Sequence, residues 1–401
     1  MSKPDVHDPG TALTRPLRNS APPLILLAQS ARALVEGARA AGFTPLAVDR
    51  FADVDTRSAA AECCSVPVTS DGGLEPEAVL RAVHDLRARY PSAELVWGGG
   101  LECQPGLLQQ LSTVCPVLGS ARHAAEVLHD RTALQRACAT LGVPVPEESQ
   151  TVRAGRWLRK RAGRAGGWHV VPARGAACRR DSADMYFQRW IPGIPASITL
   201  LVGRSEIAVL GFNRLLTHGN QFARDYRYLG AVGHLRVAQS TRAECIRHAT
   251  AFARYFGWRG LCGMDFILKA DGSFVFIDFN PRPVATVELH ALPGLAFAAH
   301  HAACRGEWIP LVRRPGVRAQ RLLEADGPIQ IPNSLDWPDW VSDRPPPEQT
   351  FSAGEPLCTV HAAEATAARS LALLEARRRR VRALISMNHN DIANSGSIHA
   401  D

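Results

Sequence analysis

Met264-Asp265-Phe266-Ile267-Leu268-Lys269-Ala270-Asp271-Gly272-Ser273-Phe274-Val275-Phe276-Ile277-Asp278-Phe279-Asn280-Pro281-Arg282 is the stretch on which the fold turns. Two runs rich in β-branched and aromatic residues flank Asp271-Gly272, a pair favoured in two-residue type I′ hairpin turns. With that turn Ala270 faces Ser273, and counting outward sets Asp265 opposite Asp278. Directly opposed residues hold their Cβ atoms about 4.5–5.5 Å apart, where like charges repel. Side chains alternate along a strand, so Asn280 is expected on the face of Asp278, which Phe274 and Phe276 also share. Two carboxylates and an amide oxygen on a half-buried face are costly unless compensated. A hard divalent cation uses all three as ligands. Mg²⁺ completed by phosphate oxygens fits best, and Mn²⁺ accepts the same donors. The bland alternatives are a slipped register that turns one aspartate to solvent, or a proton shared by the pair. Pro281 cannot donate to a sheet and ends the strand. Arg282 then overhangs the site, where a guanidinium can hold a phosphoryl or carboxylate oxygen.

Working outward, the next signal is a lysine. Of 46 basic residues only Lys3, Lys160 and Lys269 are lysines, so arginine serves wherever a solvated cation suffices. An ammonium kept in such a chain invites a specific explanation, because the two cations are not interchangeable. Lys160 ends a short strand (156–160) and precedes Gly163, Gly166 and Gly167, after which a strand returns through His169. No lysine follows the glycines and no helix opens there, so this is not a Walker A loop. Strand, lysine, flexible loop, strand is an order in which backbone N–H groups can close over phosphates while the lysine pairs with them.

The remaining organisation reads as α/β followed by α+β. A strand at 24–28, a helix at 31–41, a strand at 45–49, a helix at 75–90 and a strand at 94–97 form β-α-β units of a parallel sheet. That sheet ends at Gly98-Gly99-Gly100, whose spacing fails the dinucleotide fingerprint because Cys103 stands where the third glycine belongs. A helix is expected over 121–141, strands over 185–191 and 196–202, a helix over 242–256 and a final amphipathic helix over 363–384. The expected divisions are a disordered tail at 1–20, an open α/β domain at 21–120, a central domain at 121–310, a small accessory region at 311–387 and a flexible tail at 388–401.

With 401 residues and 46% hydrophobic content, the chain can bury two or three cores. No apolar run approaches the roughly 18 residues of a membrane span, and 24–28 is too short for a signal-peptide core. A cytoplasmic enzyme without membrane or nucleic-acid partners is expected. The net charge of +8 gives no contrary signal, since the densest basic run, 377–380, lacks interleaved aromatics. Ten scattered cysteines without CxxC pairs read as reduced thiols packed as small hydrophobes.

With those residues placed, the chain resembles the ATP-grasp superfamily, and within it the predicted ATP-dependent carboligases related to biotin carboxylase. Asp265…Asp278-x-Asn280-x-Arg282 matches that family's metal signature in type and spacing. The resemblance implies a two-lobed ATP-grasp domain between the α/β domain and the accessory region. It implies Lys160 and the loop Gly163, Gly166, Gly167 as phosphate contacts. Gln188, Trp190 and Ile191, within Tyr186-Phe187-Gln188-Arg189-Trp190-Ile191-Pro192-Gly193, look like the hinge that reads adenine. Glu102, after Gly98–Gly100, looks like part of a substrate-facing loop. Gly354-Glu355-Pro356-Leu357-Cys358-Thr359-Val360 is also similar to this subgroup. Two positions depart from the pattern. Arg131 stands where many members carry a second lysine, and Gln188 stands near where a ribose-binding glutamate is common.

The implied function is a carboxylate–amine ligase. ATP and Mg²⁺ activate an acid as its acylphosphate, Arg282 and Lys160 neutralise charge, and an amine captures the acyl group. Glu288 and His290, just past the hairpin, are candidates for holding the acceptor, with Ser197 and Arg214 behind them. A biotin-carboxylase-like enzyme using bicarbonate is the first alternative. A nucleic-acid or assembly module with a vestigial nucleotide site is the second. The partners are small-molecule acids and amines, and a homo-oligomer is compatible with all of these readings.

Overall fold

The computed structural model describes residues 22–69, 72–102, 104–120, 122–164, 166–173, 182–218, 222 and 226–395. The expected tail at 1–20, Lys3, Cys103, Cys178 and residues 396–401 of the expected C-terminal tail lie outside them.

Residues 22–120 build a five-stranded parallel sheet. Its elements are β1 (Pro23–Ala28), α1 (Arg32–Ala40), β2 (Thr44–Asp49), α2 (Val54–Ala59), β3 (Glu62–Ser65), α3 (Pro76–Arg89), β4 (Glu94–Trp97), α4 (Pro105–Val114) and β5 (Val117–Leu118). The strand order is β3-β2-β1-β4-β5. Central β1 is covered on both faces, so Leu24 to Leu27 are all fully buried, which is why they read as an unbroken apolar run. Reading periodicity alone misses α2, β3, α4 and β5, which are short or carry mixed polarity.

The expected single helix at 121–141 is two, α5 (Arg122–His129) and α6 (Arg131–Thr140). Asp130 interrupts it: its carboxylate accepts the N–H of Ala133 at 2.9 Å and caps α6. A four-stranded antiparallel sheet follows, in the order β6-β9-β7-β8, from β6 (Glu148–Ser149), β7 (Trp157–Arg161), β8 (Val171–Ala173) and β9 (Met185–Arg189).

An eight-stranded sheet then runs through β10 (Ile194–Val202), β11 (Ile207–Leu216), β12 (Gly230–Val232), α7 (Gln239–Tyr255), β13 (Gly260–Leu268) and β14 (Phe274–Asn280). A 3₁₀ turn at Ala285–Leu289 and α8 (Pro293–Cys304) lead to β15 (Val317–Glu324), β16 (Ile329–Gln330), β17 (Val341–Ser342), β18 (Thr350–Phe351), β19 (Pro356–Glu364) and α9 (Ala367–Ser395). The order β14-β13-β10-β11-β12-β15-β19-β17 carries the region after 310 into the same sheet, with β12 as the joint. Residues 363 and 364 close β19, so the last helix begins later than its amphipathic pattern indicates and extends through Ser395, into the segment expected to be a tail. The largest core packs Phe212, Phe266, Phe274, Phe276 and Phe279 against Phe252 and Cys245 of α7. The eight described cysteines form no disulfide, and no helix among the described residues is long and apolar enough to cross a membrane.

Candidate active site

Asp265 and Asp278 are paired across β13 and β14, but not through the expected turn. Lys269, rather than Ala270, meets Ser273: its N–H donates to the Ser273 carbonyl at 2.8 Å, closing a three-residue loop with Gly272 at φ +82°. The pairs Leu268–Phe274, Ile267–Val275 and Phe266–Phe276 are therefore one residue out of the expected register. A bulge at Ile277 then takes up the difference and restores Asp265 opposite Asp278, Met264 opposite Phe279 and Gly263 opposite Asn280. The same bulge reverses which face each residue takes. Phe274, Phe276 and Phe279 enter the core, while Asp278 and Asn280 line a cleft with Asp265. The expectation that the carboxylates share the phenylalanine face is thus corrected.

That cleft, about 330 Å³, lies between the four-stranded and eight-stranded sheets. Among the described residues, six cations line it (Arg131, Lys160, Arg161, Arg164, Arg189 and Arg282) against three carboxylates, Glu102, Asp265 and Asp278. Such an excess in a concave site favours a polyanion. Burial pushes both paired aspartates above the usual carboxylate range. For Asp265 the charge of Asp278 adds to the rise, with Arg282 and Lys160 pulling the other way. For Asp278, Lys160 and Arg282 likewise oppose it. Two buried carboxylates strained toward protonation, with the Asn280 amide beside them, form an all-oxygen donor set suited to a hard cation. Among the described residues no group of three or more His, Cys, Asp or Glu side chains forms a metal cage. The donors present fit Mg²⁺ or Mn²⁺ held by two carboxylates with phosphate and water completing the shell.

Lys160 is buried on β7, its Nζ 3.2 Å from Gln188 Oε1 and 3.4 Å from the Ile277 carbonyl at the bulge. Gln188 in turn donates to Glu148 at 3.1 Å, and Glu148 is ion-paired with Arg131, whose guanidinium lies 4.4 Å over the Tyr186 ring. This line of side chains commits Gln188 to the lysine and to Glu148. Glu148, on a two-residue strand, carries no sequence signal. Trp190 and Ile191 line the outer cleft, with Phe222 edge-on to Trp190 at 5.7 Å. Gly163, Gly166 and Gly167 all have positive φ (+68°, +73° and +78°). The loop they form is seated on its neighbours: the Gly166 carbonyl accepts the Tyr228 N–H at 2.9 Å, and a Cβ at Gly167 would overlap the Tyr226 carbonyl.

The loop after β4 closes the cleft. Glu102, nearly fully buried, accepts the Gly100 N–H at 2.6 Å and is ion-paired with Arg282. Arg282 also donates to Asn280 Oδ1 at 3.1 Å and to the Pro283 carbonyl at 3.2 Å. Three of its five N–H groups are thereby used.

The four remaining candidates separate. Ser197 lines the cleft across from Asp265. Its Oγ accepts from Asn213 Nδ2 at 3.1 Å, and Asn213 Oδ1 lies 2.6 Å from His290 Nε2. Because the Asn213 amide nitrogen donates to Ser197 and Thr199, its oxygen accepts and His290 carries its proton on Nε2. Burial, then His234 and Arg313, hold His290 down to about 3. It is a neutral group behind the site, not in the cleft. Arg214 takes the face of β11 that bears core Phe212, away from the cleft that Leu215 lines. Glu288 lies in a second cavity of about 340 Å³, clasped by both terminal nitrogens of Arg32 at 2.9 and 2.8 Å. Neither Glu288 nor His290 belongs to a solvent-facing helix end. Arg282, Tyr228, Val284 and Ala285 line both cavities and so mark their junction. Tyr228 and Arg32 escaped sequence reading because nothing in their neighbourhoods sets them apart from other aromatic or arginine residues.

Two sheets thus close on a cationic cleft that carries a paired-aspartate hairpin. Residues 128–286 match the ATP-grasp domain family. The chain carries an ATP-grasp domain and has the ATP-grasp fold. Its structure is similar to biotin carboxylase of Campylobacter jejuni in a β,γ-ATP complex, with a TM-score of 0.68 and 13% identity over 87% of this chain and 89% of that one. It is also similar to N5-carboxyaminoimidazole ribonucleotide synthetase of Thermotoga maritima, with a TM-score of 0.63 and 13% identity over 90% and 98% of the two chains. L-amino acid ligase of Bacillus licheniformis gives a TM-score of 0.63 and 14% identity over 91% and 98%. Comparison with curated protein sequences yields no match.

Proposed function

We propose that the chain is an ATP-dependent carboxylate–amine ligase. The observation that carries this reading is that Arg282 lines both cavities. A cationic cleft with paired aspartates ends where a second, largely apolar cavity begins.

In this reading the adenine lies among Leu158, Trp190, Ile191 and Ile267, apolar residues that line the cleft. Lys160 and the Gly163–Gly167 loop hold the phosphates. Asp265, Asp278 and Asn280 would hold Mg²⁺, which when bound would supply charge neutralisation at the terminal phosphates. Arg282, with two N–H groups left over, holds the substrate carboxylate at the junction, and Glu102 fixes the guanidinium plane. A carboxylate oxygen attacks the terminal phosphorus and the bond to ADP breaks. The amine nitrogen then attacks the acyl carbon, the carbon–oxygen bond to phosphate breaks, and the nitrogen releases its proton to water. The protein's contribution is positioning and electrostatic stabilisation. The similarity to an amino acid ligase and to two carboxylating enzymes supports the fold of such a site and leaves the acid open.

The test is ADP release measured across a panel of carboxylic acids, bicarbonate included, with and without amines. Release that needs both an acid and an amine, and an amide recovered as product, is expected. Release that needs bicarbonate alone moves the reading to a carboxylase. No release with any acid, under conditions where MgATP binds, defeats it.

A further inference from the structure

The second cavity has its own chemistry. Its volume of about 340 Å³ is within the range of small-molecule sites. Most of its wall is apolar, with Leu34, Phe51, Leu261, Phe297, Phe351 and Leu357 contributing. It draws on α1, the 3₁₀ turn, α8 and the strands after 310, so it exists only in the assembled chain.

The charges on that wall are arranged against anions. Among the described residues only two cations line it, Arg32 and Arg282. Arg32 is buried, and four of its five N–H groups are committed. Nε donates to Asp343 at 2.8 Å, Nη1 to Glu36 at 2.8 Å and to Glu288 at 2.9 Å, and Nη2 to Glu288 at 2.8 Å. Arg282 is paired with Glu102. Asp53 adds another carboxylate to the wall. Three carboxylates on the wall (Asp53, Glu288 and Asp343) and two behind it, Glu36 on Arg32 and Glu102 on Arg282, thus stand against two guanidinium groups, and among the described residues no cation is left to receive a phosphate away from the junction.

One polar group lacks a partner. Gln320, 3% exposed, lines this cavity. Its Nε2 donates to the Ala285 carbonyl at 3.1 Å and to Tyr228 Oη at 3.3 Å. The carbonyl can only accept, so the amide orientation is fixed. Gln320 Oε1 is then a buried acceptor with nothing to accept from, an arrangement that calls for an N–H or O–H donor.

We infer that this cavity receives an apolar molecule bearing an amine, and that it excludes phosphorylated and multiply anionic molecules. The apolar wall takes the body, the excess of carboxylates favours an ammonium over an anion, and Gln320 Oε1 accepts one of its hydrogens. This rests on the ligase reading only in calling the occupant the acceptor; the preference for an amine stands on the cavity itself.

The test uses the full chain and three probes of simple chemistry: 2-phenylethylamine, the dianion phenylsuccinate and ribose 5-phosphate. Each is titrated calorimetrically with and without MgADP. The amine is expected to bind saturably and at least about tenfold more tightly than either anion. Ala33→Trp, which fills the cavity from α1, is expected to abolish amine binding and to leave MgADP affinity unchanged. Gln320→Met, near in volume, is expected to weaken the amine and spare ethylbenzene, the same body without nitrogen. An anion that binds as tightly as the amine, or an amine that shows no saturable binding, overturns the inference. Amine binding indifferent to Ala33→Trp overturns it too. Failure of MgADP to bind would strike the ligase reading alone, because the titrations without nucleotide still judge the cavity.

Discussion

Lys160 Nζ stands 3.4 Å from the carbonyl oxygen of Ile277, the residue at which β14 bulges. The bulge that returns the two aspartates to register thus also presents a carbonyl to the ammonium, tying β7 of the smaller sheet to the hairpin of the larger one. Lys160→Ala is expected to weaken ATP binding more than about tenfold by removing a charge-assisted contact. Mg²⁺ binding in the presence of excess nucleotide should change less. Equilibrium binding of a fluorescent ATP analogue measures the first effect; unchanged affinity would remove Lys160 from the phosphate site.

Asp278→Asn separates stability from function. Without metal, the buried pair repels and both carboxyls are pushed up. Neutralising one side should stabilise the metal-free protein by on the order of 1 kcal/mol. The Phe279 N–H that donates to Asp278 Oδ1 at 3.0 Å keeps an acceptor in asparagine. Mg²⁺-dependent ADP release should fall by about a hundredfold or more. Thermal unfolding in chelator and steady-state rates give the two signs; a variant less stable than the parent without metal would contradict the repulsion.

Gly167→Ala places a Cβ on the Tyr226 carbonyl at a φ of +78°. Neither the backbone oxygen nor the backbone angle can yield cheaply, so the loop must leave its present seat. A rise in KM for ATP of about tenfold is expected, with global stability lowered by only about 1 kcal/mol. Unaltered KM would show that the loop's seat is not the one used in turnover.

Arg32→Met would leave Glu36, Glu288 and Asp343 facing one another at 6% side-chain exposure of their present partner. Breaking a buried ion network from one side costs about 3–5 kcal/mol. Arg32→Lys should recover little, because an ammonium cannot reproduce the two-pronged contact with Glu288. Urea unfolding of the three proteins checks both statements.

Acid should destabilise the fold through buried histidines. Burial, reinforced by His301, holds His300 down to about 3, and its Nδ1 accepts the Leu261 N–H at 2.9 Å, which requires the unprotonated ring. His290 is similarly held down to about 3. Between pH 6.5 and 3 the unfolded chain binds protons at these sites and the folded chain does not. Stability is therefore complete above 6.5 and lost as pH falls, by up to about 1.4 kcal/mol per unit for each histidine. Asp49 opposes them: burial raises it to about 6, so between roughly 4 and 6 it favours the folded state as pH falls. Asp265 and Asp278, also raised by burial, act in the same sense as Asp49, so the histidine contribution is read as a difference between variants. His300→Asn keeps an acceptor for Leu261, and its urea midpoint should depend less steeply on pH than the parent's.

The hairpin shows how far the sequence carries and where it stops. Asp265 and Asp278 are opposed as their spacing indicates, yet the turn is a residue longer than Asp271-Gly272 suggests and the strand bulges to compensate. The pairing was legible; the face was not, because a one-residue bulge reverses alternation and only packing of Phe274, Phe276 and Phe279 against α7 selects it. Lys160 was legible through its rarity and its glycine loop. Glu148, Tyr228, Gln320 and Arg32 were not, because each acquires its partners from segments remote in sequence.

By itself the sequence determined the alternation of strands and helices, the punctuation by glycine and proline, and the chemical types gathered near the hairpin. These follow from local periodicity and from the short-range rules of turns. The tertiary structure decided which arginine lies on which carboxylate, which face of β11 meets the cleft, and that the strands after 310 close one sheet with those before it. Such choices depend on burial and charge compensation between distant segments, and those energies exist only once the chain has folded.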